Sequence, residues 1–437
     1  MTRIVQWLHI SDLHLGCEGR GLWWQTENDF ERSVREVVRE IGTPDFIFLT
    51  GDMTNSGTED QFKLVDGFLD KLLNWIAESV LPNKQADPVL LAVPGNHDFV
   101  RPELDGPDAL RYQALDSYEE DRDNPYAKIL AKSLWTGKPA KKHQATKTIF
   151  DPLFGNYQHW FEKRIKSQLE DRAQHVHFSH FPCDFAAEFD VDGSNLAVVG
   201  LNSAWLQYKA GDFERKLTVP MEQFHAALGL GGVENPLQLF DRNERALLIM
   251  HHPPTWFSIR ARQSFNEDVY TPERFSLCLF GHQHEGRAES VLMSGGRPRY
   301  YFQAPSLFGV EHYGTSRERR SMGYAWGQVT VDGVVRVRPL MRVSQGDAPS
   351  FGDDPSFAEK DENGYVHIAP VGPITPVYFD SADLKGYLED LQAETGFVKI
   401  SGIGSGAGKV KSASRYPIEH LYTPLRSRIA MSEVQNS

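Results

Sequence analysis

The stretch Ile4-Val5-Gln6-Trp7-Leu8-His9-Ile10, running straight into Ser11-Asp12-Leu13-His14, decides how this chain is read. It is short and apolar and ends in a polar turn, as a buried parallel strand does when it hands its last side chains to a loop. Phe30, Val34, Val37, Val38 and Ile41 then recur at helical spacing. Asp45–Leu49 is a second strand, ending in Thr50-Gly51-Asp52. Phe62, Val65, Phe68, Leu69, Leu72 and Trp75 line a second helix. Val89–Val93 leads as a third strand into Gly95-Asn96-His97-Asp98. The order β-α-β-α-β predicts a layered α/β sheet, a class that places its working loops beyond the strand ends.

Farther along, Ala246–Met250 ends in His251-His252-Pro253, and Leu277–Phe280 ends in Gly281-His282-Gln283-His284. Carboxylate, amide oxygen and imidazole thus follow five strand-like runs, the donor set that divalent cations of hard and borderline character prefer. Asp52 carries two oxygens and can bridge two cations, and Asn96 offers an oxygen without adding charge. A single histidine or strand-end aspartate is as often simply hydrogen-bonded. Five such pieces in one chain point to a metal centre.

Composition narrows the class. With 437 residues, 40% of them hydrophobic and 24% charged, the chain has room for one large globular domain and a smaller element. Three cysteines at unrelated spacings, Cys17, Cys183 and Cys278, form no disulfide framework and fit a reducing compartment. No leading apolar segment and no run long enough to span a membrane is present, so the cytoplasm is the expected location. A net charge of -13 disfavours a general nucleic-acid coat but leaves a nuclease open.

Boundaries follow from composition shifts. Residues 100–175 are polar and rich in Lys, Asp, Pro and Tyr, and read as a cap or insertion with a helix near Tyr157–Leu169. Short strands at His175–Phe178, Ala186–Phe189 and Leu196–Leu201 follow, two of them joined by a turn at Asp192-Gly193-Ser194-Asn195. Gly327–Val331 and Val334–Arg338 flank Asp332-Gly333 as a hairpin. The expected organisation is a domain over 1–345, a Pro/Gly/Asp-rich linker over 346–376, and a small appended element over 377–437.

Taken together, Asp12-Leu13-His14, Gly51-Asp52, Gly95-Asn96-His97-Asp98, His251 before Pro253 and Gly281-His282-Gln283-His284 resemble the calcineurin-like metallophosphoesterases over about residues 1–345. The resemblance implies a four-layer αββα sandwich with two metals at the sheet edge. It implies one ion on Asp12, His14, Asp52 and His284, and a second on Asp52, Asn96, His251 and His282, with Asp52 shared. It further implies that His97 faces the scissile phosphate, that Asp98 holds and polarises His97, and that His251 rather than His252 is the ligand. Such an arrangement hydrolyses phosphate esters by in-line attack of a water held between the two cations. Manganese is the first expectation, with iron, zinc or magnesium as alternatives.

The ester is less legible. A nuclease acting on DNA or RNA is the leading expectation. A nucleotide or cyclic-nucleotide phosphodiesterase is the alternative, and an assembly or sensor module with weak hydrolysis stands as a different class. Arg101, His143, Arg260 and Arg262 are candidate phosphate contacts, though each also suits an ordinary surface. Gly402 to Lys409 looks like a phosphate loop, but its spacing is one residue off and Val410 stands where a hydroxyl would bind magnesium. Tyr387 to Leu425 instead resembles the connector of bacterial STAND-type (NACHT-like) defence proteins, which implies a fused or partner NTPase and a nucleic-acid or nucleotide substrate.

Overall fold

The computed structural model describes residues 4–17, 23–80, 87–104, 112, 115, 116, 118, 125–136, 139–229, 238–243, 245–291, 298–308, 322–330, 334–345, 348–369, 397–399 and 415–417. β1 (Ile4–Ile10), α1 (Trp23–Ile41), β2 (Phe46–Leu49), α2 (Glu59–Ser79) and β3 (Val89–Ala92) follow the expected order. β1 and β2 are parallel, as are β2 and β3. α2 begins at Thr58, whose hydroxyl accepts the Gln61 amide, and its apolar positions are buried in the 3–4 rhythm read from the sequence.

After α3 (Pro139–Phe161) come β4 (His175–Phe178), β5 (Phe185–Val191), β6 (Ser194–Gly200), β7 (Arg245–Ile249), α4 (Ile259–Ser264), β8 (Leu277–Phe280), β9 (Arg287–Val291) and β10 (Arg299–Gln303). β11 (Gly323–Thr330), β12 (Val335–Gln345), β13 (Ala348–Asp353) and β14 (Val366–Ala369) complete the main unit. Two mixed sheets result. One runs β13-β12-β11-β1-β2-β3 with β14 also on β12, and the other runs β4-β5-β6-β7-β8-β10-β9. Helices flank them, giving an αββα sandwich.

Strand periodicity explains the layering. On β6 and β7, Leu196, Val198, Leu247 and Ile249 join the core shared with the first sheet. Their alternate neighbours Ala197, Val199, Ala246 and Leu248 join a second core under the outer helices. A period of two sends successive side chains to opposite faces, so one apolar run supplies both cores. Phe46 of the first sheet meets Phe189 of the second edge to face, with ring centroids 4.9 Å apart.

Three expectations are adjusted. β1 is parallel to β2 but antiparallel to β11 on its other side, so the sheet is mixed. The helix expected near Tyr157 starts at Pro139. Phe150, Leu153 and Phe154 drive into the outer core, while Tyr157, Trp160 and Phe161 reach the inter-sheet one. The polar residues between these positions hid the stripe. The third adjustment concerns the stretch read as a linker over 346–376. It carries β13 and β14, both hydrogen-bonded to β12, and the first compact unit ends at Val371. Pro349, Gly352 and Asp353 are built into β13 itself, and Phe351 between them packs on Phe30 of α1 and Tyr324 of β11, with centroids 6.0 and 5.4 Å apart.

The β5–β6 turn is tighter than read, Asp192 and Gly193 both holding positive φ while Ser194 and Asn195 already pair within β6. β11 and β12 pair antiparallel with Gly327 opposite Val337, whereas a two-residue turn at Asp332-Gly333 would set Gly327 opposite Arg338; Asp332 and Gly333 themselves lie outside the described residues. A second unit, Gly372–Ser437, contains β15 (Phe397–Lys399) paired with β16 (Arg415–Pro417). The helix expected at Ser381–Glu394, the Gly402–Gly408 piece and most of the connector-like stretch lie outside the described residues. No described helix is long and apolar enough to cross a membrane.

If 348–369 is integral to the sheet, Phe351→Ala lowers the stability of the main unit by about 3 kcal/mol or more, the usual cost of emptying a phenylalanine site. Denaturant unfolding of the full chain reads this. A stability equal to wild type would make the stretch a linker after all.

Candidate metal centre

The ends of β1, β2, β7 and β8 are laced together by backbone. Asp12 N–H donates to the Gly51 carbonyl at 3.0 Å, His14 N–H to the Asp52 carbonyl at 2.9 Å, and Gly281 N–H to the His251 carbonyl at 3.1 Å. The lacing also crosses between sheets. Ser306 hydroxyl donates to the Asp12 carbonyl at 2.8 Å, and His282 N–H donates to Asp12 Oδ2 at 3.0 Å. Gly51, at φ +91°, has no room for a side chain, since a Cβ there would lie 2.6 Å from His251 Nδ1. Only glycine lets the two strand ends come this close.

Backbone strain concentrates here. Among described non-glycine residues, eight hold positive φ, and five of these are Asp12, His14, Asp52, His282 and His284. Left-handed backbone costs of order 1–3 kcal/mol at each such residue and persists only where surrounding structure enforces it. Asp12 and His14, like His282 and His284, are two residues apart, a spacing that puts both side chains of a pair on the same side of the chain.

The functional atoms converge. Those of Asp12, His14 and His284 lie within 4.8 Å of one another, and so do those of His14, Asp52 and His97, and of Asp12, Asp52 and His251. His14 Nε2 and His284 Nε2 are 3.4 Å apart, and His251 Nε2 and His282 Nδ1 are 3.1 Å apart. Asp52 Oδ2 lies 3.3 Å from His251 Nε2. Asn96 Oδ1 is buried without a hydrogen bond. Asp12 Oδ1 is likewise unbonded, although it sits 3.2 Å from His284 Nε2. Facing imidazole nitrogens and orphaned buried oxygens are costly in a dry site, and a cation among them satisfies both. The arrangement can coordinate one or two divalent metal ions.

The surroundings tune these groups. Burial alone would raise the Asp12 carboxyl, but His284 outweighs it and brings it down to about 2. Burial likewise opposes ionisation of Asp52, and His251 drives it well below the ordinary carboxylate range. Burial lowers His14 to about 3, leaving it neutral with a lone pair to offer. His251 resists its burial because Asp52 faces it, and rises to about 9. Its Nδ1 lies 2.7 Å from the Thr50 carbonyl, so Nδ1–H is the donor and Nε2 points at the cluster.

Asp12, His14, Asp52, His97, His251, His282 and His284 are thus brought together, with one adjustment beside them. Asp98 does not touch the His97 ring. Its carboxylate accepts Thr54 N–H at 2.8 Å and Gly95 N–H at 3.0 Å, and burial, aided by Asp52, raises it to about 7. The His97 ring is instead oriented by the Asn55 carbonyl, 2.8 Å from Nδ1. Asp98 is turned into the loop to hold its backbone, so the neighbour in sequence is not the neighbour in space. His97 backbone N–H donates to Asp52 Oδ1 at 2.7 Å, tying that loop to the carboxylate.

His252 comes close enough to His251 and His282 to be grouped with them. Both of its ring nitrogens are taken, however, Nδ1 by Ser203 Oγ at 3.0 Å and Nε2 by Gln207 Oε1 at 2.9 Å. Ser203 Oγ also accepts the His252 backbone N–H at 2.9 Å, so its proton goes to Nδ1 and the ring carries its own on Nε2. Sequence reading missed these supports, along with His9, buried 2.9 Å from the Thr50 hydroxyl. The apolar β1 run held a histidine in plain view. A backbone carbonyl such as that of Asn55 leaves no trace in sequence.

A family model described as calcineurin-like phosphoesterase matches residues 6–286. No curated protein matches the chain. Among solved structures, a sulfate thiohydrolase, SoxB, of Thermus thermophilus in complex with glycerol is similar at 10% identity and a TM-score of 0.31. The alignment covers 89% of this chain and 60% of that one.

In metal-free protein His251 is protonated below about 9, and a cation on Nε2 must displace that proton. Metal affinity therefore rises with pH up to that value, with protons released on binding. Calorimetric titration of chelator-treated protein with Mn²⁺, in buffers of different ionisation enthalpy between about pH 6 and 8, measures the release. Affinity flat across that range, with no buffer dependence, would contradict the assignment.

Proposed function

Because this chain belongs to the calcineurin-like phosphoesterase family, we propose that it hydrolyses phosphodiesters with two divalent ions, one on Asp12, His14, Asp52 and His284 and the other on Asp52, Asn96, His251 and His282. The observation that carries the reading is the place of Asp52. Its donor atoms lie within 4.8 Å of His14 in one group and of Asp12 and His251 in another, so it is within reach of residues assigned to both ions. When bound, such ions supply an activated water and neutralise charge on the phosphoryl oxygens.

The chain's own residues do the rest. His97 donates Nδ1–H to the Asn55 carbonyl, which fixes the ring and leaves Nε2 to face substrate. As a cation it gives the Nε2 proton to the departing oxygen. Asp98 works indirectly, holding Thr54 and Gly95 so that the 95–98 loop keeps its shape. His252 takes no ion and is a fixed wall beside His251 and His282, with ring centroids 4.7 and 4.3 Å away.

For substrate we favour nucleic acid, making the protein a nuclease effector. The support is the likeness of the tail to a STAND-type connector, which also suggests an NTPase partner and a role in antiviral defence. Manganese fits the mixed oxygen and imidazole donors. Free cysteines, two of them buried, fit a cytoplasmic setting.

Manganese-loaded wild type, His97→Ala and Asp52→Asn are compared on single- and double-stranded DNA, RNA, cyclic nucleotides and nucleoside triphosphates. His97→Ala keeps its metal and loses about 10²–10⁴ in rate. Asp52→Asn loses both metal and activity. A folded Asp52→Asn protein with wild-type activity ends the two-ion reading, and cleavage confined to small nucleotides replaces nuclease with nucleotide phosphodiesterase.

A further inference from the structure

Beside the metal centre lies a second cavity of about 260 Å³, walled in part by Arg215, Arg262, Arg287, Gln283 and Tyr301. Gln283 stands between His282 and His284, and Pro253 and Pro254, which follow His251-His252, form another side. The cavity therefore opens off the loops that carry candidate ligands.

Its charge is lopsided. Three arginines meet two carboxylates, Glu214 and Glu289. Arg287 pairs through Nε with Glu289 at 2.6 Å, which orients the guanidinium, and its terminal amines have no partner among the described residues. Arg215 Nε is 3.9 Å from Glu214, too far to be held firmly. The Arg262 guanidinium, on α4, makes no ion pair or hydrogen bond among the described residues. A guanidinium with open donor edges is suited to a phosphate.

The backbone holds the arginine loop against the metal centre. Arg215 takes its φ of 61° as the third residue of a tight turn, closed by the Lys216 amide donating to the Phe213 carbonyl at 3.1 Å. The segment is pinned, since the Lys216 and Leu217 amides both donate to the Trp256 carbonyl at 3.1 Å. Trp256 in turn packs edge-on against His282, with centroids 4.0 Å apart. The arginine loop is thus fixed to the wall of the metal centre.

We propose that this cavity binds a second phosphate group of the substrate while the scissile phosphate sits at the metal centre. The inference rests on the phosphodiesterase reading and deepens it: the preferred substrate carries two or more phosphates in close succession. A neighbouring phosphate along a nucleic-acid strand and the polyphosphate of a nucleotide present the same chemistry.

Wild type, Arg215→Ala, Arg262→Ala and Arg287→Ala, as full chains loaded with manganese, are assayed on bis(p-nitrophenyl) phosphate, on 5′-phosphorylated thymidine dinucleotide and on ATP. Wild type has a KM at least about tenfold lower for the dinucleotide or ATP than for the single-phosphate ester, and each variant shrinks that preference about tenfold through KM. Shrinkage with the dinucleotide alone assigns the strand, and with ATP alone the nucleotide. Separately, inorganic pyrophosphate binding to chelator-treated protein is measured by calorimetry, and Arg262→Ala and Arg287→Ala weaken it about tenfold. Pyrophosphate affinity unchanged in all three variants overturns the subsite. Failure to hydrolyse bis(p-nitrophenyl) phosphate overturns the phosphodiesterase reading instead, so the two failures are distinct.

Discussion

Two carboxylates, Asp12 and Asp52, are buried side by side at the meeting of two sheets, and the surrounding architecture answers that constraint. Each raises the cost of ionising the other, and neither has bulk water to lean on. His284 answers Asp12, and His251 answers Asp52. Backbone amides of His282 and His97 supply further hydrogen bonds, each taken from a loop that also presents a functional side chain. Removing either carboxylate would strand those partners, so the site and the inter-sheet seam cannot be separated.

The second sheet contributes more than half of a sandwich. Its strands divide their side chains between two cores, so β7 and β8 are clamped on both faces and their ends are poorly free to shift. That rigidity lets His251 and His282 be held by packing and single hydrogen bonds. His252, with both nitrogens committed, works as an uncharged spacer in the same wall.

Much of this was legible in sequence because apolar periodicity and strand-end motifs are local. Leu49-Thr50-Gly51-Asp52 reports its strand, its turn and its donor in four residues. What escaped was non-local. The 346–376 stretch reads as a linker because the partners of its Phe351, Phe30 and Tyr324, are far away in the chain. The family resemblance implies that Asp98 holds His97, whereas here the Asp98 carboxylate accepts Thr54 and Gly95 amides and the Asn55 carbonyl meets the His97 ring. The arginine cavity draws on Arg215, Arg262 and Arg287, which share no motif and meet only through the fold.

The five left-handed residues of the metal centre have a consequence beyond chemistry. Their strain is carried by the empty protein, and a cation that binds only the folded state repays it, by about 2.7 kcal/mol at a hundredfold excess over its Kd. For a domain of ordinary marginal stability this is a sizeable share. The fraction of chains that survives quality control in the cell then follows the supply of metal. Scarcity of the ion would thin the population of the protein as well as silence it.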